Sequence, residues 1–541
     1  MSTLSNPNRR PLEGEVFDVV VIGGGISGVA IARECARGGK RTLLVEQNDF
    51  AAGTTSRSTR IIHGGLRYLE HGDIVQVRES LKERGRLLRQ YPHQVRPLQF
   101  LLALDQHSRR SALAVRTGLW LYRTMGGSTT AAAKREASQA MLERLLDKGR
   151  RFSVLSFDDA QCEFPERLVA EWLVEAGEAG CEVRNHTQVL RVEVRDGMAA
   201  GAWLRDQCSG QEARIRSQWI VNATGPWADR VCQASAIETR GPMVGGVRGS
   251  HIVLSGTAGM PEAAMYTEAV DGRPVFVVPW NGQTLVGTTE VPDGGDPARV
   301  QPTGQEIDYL LRSFRQLFPQ RAVLEGDILF AFAGVRPLPS STGANFAALS
   351  RKHQLHDHAD DGAAGMTSVI GGKLTTAGWV ARECAVKIGV RVPKPTAPAL
   401  ASGESVDDLI EQWVTQTAQE GGISRETAHG LVDWFGRRSL EIARAARGRE
   451  ELRARLCPHT PHIVAEAMHA FAAEQALTLS DVLLRRVPVA LGRCWSEECG
   501  RVAAQRIAKA LGWDDYRAGR ELEQFEAEYR TFLQKPSPIP Q

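Results

Sequence analysis

FDVVVIGGGISG, residues 17–28, joins a buried-strand pattern to a glycine-rich turn, and the rest of the fold reads outward from it. Five of the six residues from Phe17 to Ile22 are apolar. Gly23, Gly25 and Gly28 supply G-x-G-x-x-G, after which Val29, Ala32 and Ala36 recur at helical spacing. Such glycines let the backbone turn tightly and approach a pyrophosphate, whose charge the free amides of a helix start favour. A second strand, Arg41 to Val45, ends on Glu46, 23 positions after Gly23 and close to the usual spacing for a carboxylate that binds an adenosine ribose. Strand, loop, helix, strand and acid in that order read as a dinucleotide-binding unit. The fingerprint alone does not separate NAD from FAD.

Composition narrows the class. A chain of 541 residues is long for one core and implies two or three domains. The 66 basic and 63 acidic residues leave a net charge of +3, which argues against a nucleic-acid partner. No apolar run approaches the roughly 18 residues needed to span a bilayer. The nine cysteines (35, 162, 181, 208, 232, 384, 457, 494 and 499) lack C-x-x-C spacing, so buried thiols in a reducing compartment are expected and no metal site is read. Residues 1–16 read as a flexible polar tail without a secretory apolar region.

Punctuation along the chain gives the organisation. Asn48 to Tyr68 is rich in small, hydroxyl and basic residues around Gly64-Gly65 and reads as an irregular loop, with His63 ordering it or lying near a cofactor. Helical patterns run from Asp73 to Tyr91 and from Ser111 to Arg123. Short strands follow at Val189–Val194, Gln218–Ala223, His251–Leu254, Val275–Pro279 and Thr284–Gly287. The mixture predicts an α/β protein: a Rossmann-like domain over 17–398 interleaved with an antiparallel-sheet substrate domain, the latter at approximately 85–150 and 230–340. The link VPKPTAP, residues 392–398, closes that part, and 399–541 reads as a helical domain opened by Ser405 as N-cap, with Trp413 and Trp434 as core residues.

Several motifs occur together: IIHGGLRYLE at 61–70, WIVNATGPWAD at 219–229, RGSH at 248–251, GTTE at 287–290, GVRPL at 334–338, GGKLTT at 371–376 and TLSDVLLRRVPVAL at 478–491. In this order the chain resembles the FAD-dependent glycerol-3-phosphate dehydrogenases, the aerobic respiratory family, from Phe17 to about Gly378 and more weakly through the tail. The resemblance implies FAD as cofactor, held by Gly23, Gly25, Gly28, Glu46, the strand end Ala223, Thr224 and Gly225, and the later turn Gly372, Lys373, Leu374 and Thr375. It implies glycerol 3-phosphate as substrate, its phosphate bound by Arg67, Tyr68, Arg336 and Arg351. His251, Arg336 and Lys373 are the expected catalytic groups, with His251 the preferred base because imidazole titrates near working pH. Arg248 lies in the same strand-end segments. One stretch departs: where the family carries a run ending Asp-Asp-Ala-Arg-Leu, this chain reads EFPERL at 163–168, in what is expected to be the substrate domain.

Electrons are expected to pass to a membrane quinone from a peripheral position on the cytoplasmic face of a bacterial inner membrane, or in the cytoplasm. The segment SRRSALAVRTGLWLYR, residues 108–123, mixes apolar and aromatic residues with Arg109, Arg110, Arg116 and Arg123. It suits an interfacial helix, and equally a helix packed on the protein core. A homodimer is an open expectation. The alternatives kept are an oxidase that returns electrons to O2, an amine- or amino-acid-oxidising flavoprotein, and a non-catalytic flavin-binding protein resting on the altered 163–168 segment.

Overall fold

The computed structural model describes residues 9–66, 73–106, 108, 111–126, 132–255, 260–269, 271–321, 323–340 and 352–534. It divides into two compact units, each assembled from three stretches of chain. The first comprises residues 1–56, 164–246 and 336–527, and the second 57–163, 247–335 and 528–541.

The first unit is built on a sheet with strand order Gln354–Asp357, Met366–Ile370, Glu212–Asn222, Val16–Ile22, Thr42–Val45 and Glu182–Arg184. Its central pairs are parallel, and Gln354–Asp357 alone along that path runs antiparallel to its neighbour. Val19, Val20 and Val21 are fully buried, as a parallel strand covered on both faces requires. The helix Ile26–Arg37 follows the glycine turn and packs against Pro165–Glu178 and Ala377–Lys387. A hairpin, Thr187–Arg195 with Met198–Asp206, extends the sheet from Glu212–Asn222.

Helices from Val406–Gly421 to Glu497–Leu511 belong to the same unit. Ser405 caps the first of them by accepting from the Asp408 amide, and Trp413 and Trp434 are buried. Trp434 stacks on His462 with ring centroids 3.5 Å apart and meets Phe164 edge-on. Arg167, on the helix Pro165–Glu178, makes a two-pronged contact of 2.8 Å to each oxygen of Glu474 and also donates to the Arg486 carbonyl. Phe164 to Leu168 lie in the first unit and Glu163 closes a stretch of the second. Arg167 and Leu168 keep the Arg-Leu that ends the family run, and Arg167 is consumed by internal packing.

The second unit carries a nine-stranded sheet, Val291–Pro292, Val244–Leu254, Gln283–Gly287, Pro274–Trp280, Ala264–Glu268, Val95–Leu104, Ser153–Cys162 and Ile61–Ile62 in order, with Ile328–Pro339 also paired to Val244–Leu254. The sheet is mixed rather than purely antiparallel, because Ala264–Glu268 runs parallel to Val95–Leu104. The two long strands Val95–Leu104 and Ser153–Cys162 were not expected as strands. The second holds Asp158 and Asp159 in its buried interior, where Arg84 pairs with Asp159 at 2.7 Å and the Tyr122 hydroxyl donates to it at 2.8 Å. The Gly64 amide donates to Tyr122 and Asp159, which ties the irregular loop to this sheet.

Candidate functional site

In the first unit, three glycine-bearing segments meet at the ends of the parallel strands. Gly23 has φ +104°, a conformation that L side chains rarely adopt, and a Cβ there would lie 2.7 Å from the Ala223 carbonyl oxygen. At Gly28 a Cβ would strike the Gly23 carbonyl oxygen. Gly25 differs, since its Cβ would meet only Thr55 Oγ1, at an ordinary 3.4 Å. The protein itself thus leaves room beside Gly25, as expected where a ligand approaches the backbone.

The helix beginning at Ile26 has no side-chain cap at Gly25 and no acid in its first turn. Its N-terminal partial positive charge remains available to an anion. Glu46 closes the turn, Oε2 accepting from the Gly24 amide at 2.7 Å and Oε1 from Asn48 at 2.9 Å. Burial pushes its carboxyl pKa up, and the two amides pull it back only partly.

The strand Glu212–Asn222 delivers Ala223, Thr224 and Gly225 to the same end. Asn222 Oδ1 accepts from Thr224 Oγ1 at 2.7 Å, and Asn222 Nδ2 donates to Ser368 Oγ at 3.1 Å. A Cβ on Gly372 would lie 3.8 Å from Ser27 Oγ, which brings the third segment beside the first helical turn. Lys373 and Leu374 are partly exposed and Thr375 is buried in the short turn that follows. This glycine-lined cradle, whose helix start carries no acidic side chain, fits the pyrophosphate of FAD.

In the second unit, His251 is buried, its ring stacked on Phe332 at 5.0 Å and its Nε2 2.9 Å from Thr59 Oγ1. His251 and Gly287 are paired across adjacent strands, and a Cβ on Gly287 would occupy the imidazole's place. Arg248 is held by Asp293 at 2.7 Å and Glu306 at 3.0 Å. Glu306 also accepts from Ser250 and Thr289 and closes a capping box with Thr303, so Arg248 braces the strand.

Arg336 is half-buried in the first unit, on the strand Ile328–Pro339. Arg67, Tyr68 and Arg351, along with Arg109 and Arg110, lie outside the described residues. Sequence reasoning passed over Thr55, whose hydroxyl accepts from the Ile26 amide at 3.1 Å, and Thr59 and Asn222. The signal was present in the hydroxyl-rich run after Glu46 and in the residue just before Ala223-Thr224-Gly225.

Comparison with known proteins agrees with this geometry. Residues 18–378 match the family described as FAD dependent oxidoreductase, and 401–518 match the C-terminal domain of alpha-glycerophosphate oxidase. A glycerol-3-phosphate dehydrogenase from Synechocystis is 34% identical over 540 residues, covering 95% of this chain and 96% of that protein. A D-erythritol 1-phosphate dehydrogenase from Brucella abortus is 32% identical over 490 residues, covering 88% and 94%. Among solved structures, the glycerol-3-phosphate dehydrogenase from Bacillus halodurans complexed with FAD shares the fold, with TM-score 0.77 and 22% identity over 98% of this chain and 97% of that one. The nucleotide-binding cradle, the succession of the two matched regions and the full-length relatives together show that the chain is an FAD-dependent oxidoreductase belonging to the FAD-dependent glycerol-3-phosphate dehydrogenase family.

Proposed function

We propose that the protein oxidises sn-glycerol 3-phosphate to dihydroxyacetone phosphate and passes the electrons to a membrane quinone. The observation that carries this reading is the end-to-end similarity to the Synechocystis glycerol-3-phosphate dehydrogenase, which leaves neither matched region without a counterpart. When bound, FAD supplies the acceptor for the carbinol hydride.

The chain's own residues supply the rest. His251 takes the hydroxyl proton at one imidazole nitrogen, and its contacts with Thr59 and Phe332 keep the ring in one orientation. Arg336 grips the phosphate, together with Arg67, Tyr68 and Arg351, because a planar guanidinium matches two phosphate oxygens at once. Lys373 places positive charge where negative charge develops. Gly23, Gly25, Gly28 and the Ala223–Gly225 and Gly372–Thr375 segments hold FAD, with Glu46 toward the ribose.

Membrane contact falls to the helix Ala112–Gly126. Leu119 and Tyr122 anchor it inward, while Leu113, Trp120 and Leu121 are 74%, 66% and 37% exposed beside exposed Arg116 and Arg123. An outward apolar stripe with basic neighbours suits a lipid surface. No helix among the described residues is long and apolar enough to cross a membrane.

Anaerobic mixing of the purified flavoprotein with glycerol 3-phosphate should bleach the flavin absorption rapidly, and a quinone analogue should restore it. Faster bleaching by D-erythritol 1-phosphate would move the substrate assignment. Stoichiometric peroxide in air with no response to quinone would replace the dehydrogenase by an oxidase, the reading that the matched C-terminal domain's description favours. An amine substrate gives no reason for clustered arginines. The non-catalytic alternative predicts no flavin bleaching by glycerol 3-phosphate at all.

A further inference from the structure

The sequence HDHADD, residues 356–361, lies on the edge strand Gln354–Asp357 and the turn that follows it. His356 and His358 are two residues apart, which sends their side chains to the same side, and their ring centroids are 4.6 Å apart. The turn then brings Asp361 back, its amide donating to the His358 carbonyl at 3.1 Å. One carboxylate oxygen, Asp361 Oδ2, lies 2.6 Å from His356 Nε2 and 2.9 Å from His358 Nδ1. All three donor atoms are within 4.8 Å of one another. The His358 side chain is completely buried and that of His356 is 37% exposed, so the cluster opens to solvent on one side only.

The surroundings favour a cation. Asp357 and Asp360 flank the cluster, and Asp357 is matched by Lys387 at 2.9 Å. The far nitrogen of His358, Nε2, lies 2.7 Å from Ser368 Oγ, the same oxygen that accepts from Asn222. Metal-bound histidines need such a partner on the nitrogen away from the ion, to fix the tautomer and aim the ring. A second group of donors, Asp49, His186 and Asp481, contrasts with this one, because Arg485 and Arg486 already fill it with positive charge.

We propose that His356 Nε2, His358 Nδ1 and the Asp361 carboxylate bind one divalent transition-metal ion of the zinc type, with water completing its coordination. Two imidazoles and one carboxylate suit zinc and its neighbours, whereas calcium and magnesium prefer oxygen alone. With the metal on His356 Nε2 and His358 Nδ1, each neutral ring carries its proton on the other nitrogen, Nδ1 of His356 and Nε2 of His358, the latter facing Ser368.

The test uses the full-length, FAD-loaded protein without a histidine tag, treated with chelator and desalted. Zinc chloride is titrated calorimetrically, and metal content is measured after gel filtration. One zinc per chain should be retained. His356→Ala and Asp361→Asn should each weaken binding by more than the roughly 10–100-fold typical of outer-shell changes, and Ser368→Ala by about that range. Because His356 is partly exposed on an edge strand, His356→Ala should keep wild-type flavin content and melting temperature when no metal is present. Failure of the wild type to retain zinc would overturn the proposal. So would retention unchanged in both ligand variants, which would assign the metal elsewhere, for example to the sulfur of Cys457 with those of Cys494 and Cys499, 3.9 and 3.2 Å from it.

Discussion

Gly25 has room for a side chain within the protein, whereas Gly23 and Gly28 have none. The three glycines of one fingerprint therefore fail differently. Gly25→Val should fold and accumulate as soluble protein but without flavin, because the added methyls occupy ligand space. Gly28→Val should fail to accumulate, because it collides with the backbone of its own turn. Flavin content and soluble yield of the two variants separate these outcomes, and a yellow, fully loaded Gly25→Val would sink the cofactor assignment. Arg336→Lys tests the phosphate grip: losing a two-pronged contact worth ~1.5–3 kcal/mol per charged hydrogen bond should raise KM by about 10–100-fold. Glycerol itself should be a very poor substrate, and equal activity on glycerol would refute the pocket. Of these residues the glycines were legible because their spacing is local. Thr59 was not, because its meaning comes from His251, 192 positions away.

Elements show the same divide between local and distant causes. Val16–Ile22 and Ile26–Arg37 could be read directly from a continuous apolar run and a helical stripe. Ser153–Cys162 could not, since two acids in a strand look like a loop until Arg84 and Tyr122 arrive from other elements. Arg167 belongs to the same class: its Glu474 partner lies 307 positions further on, and neither side chain touches solvent. Glu474→Gln should leave a buried guanidinium unmatched and destabilise the protein by about 3–5 kcal/mol, read as a lower denaturation midpoint. For the helix Ala112–Gly126, replacing Leu113, Trp120 and Leu121 by serine should shift the protein from the membrane to the soluble fraction. These side chains are exposed, so melting temperature and soluble-dye reduction should hold. Parallel loss of folding would make the stripe core instead.

At the scale of the whole molecule, half-buried His186 with buried Asp481, Arg485, Arg486 and Asp49 ties the N-terminal strands to the tail helices of the first unit. Burial pushes the Asp481 carboxyl up, but His186 and then the two arginines outweigh it and hold the pKa well below the usual carboxylate range. His186 is raised: burial would lower it, and Asp481 more than compensates. A depressed carboxylate stabilises above its unfolded pKa of ~4 and loses that contribution as pH falls through the folded value. A raised imidazole stabilises fully below ~6.5 and loses its share as pH rises through the folded value. The pair therefore contributes most between about pH 4 and 6.5. His186→Gln should flatten the fall in melting temperature between pH 6.5 and 8.5, and an unchanged slope would remove this pair as its cause. The two-domain flavoprotein architecture was legible from motif order. The interlacing of three stretches in each unit was not, since no local signal records which distant strand completes a sheet.

That interlacing has a consequence during synthesis. The strand Val16–Ile22 emerges first, yet its neighbour Glu212–Asn222 follows about 200 residues later and Met366–Ile370 later still. At ribosomal rates of about 5–20 residues per second, the first strand waits roughly 10–40 s for that partner. The second unit starts at residue 57 and lacks its own remaining strands until residues 247–335 appear. A nascent chain therefore carries two unfinished sheets at once, each with bare edges, and its yield in a crowded cell should depend on chaperone supply and growth temperature more steeply than the finished protein's melting point would suggest.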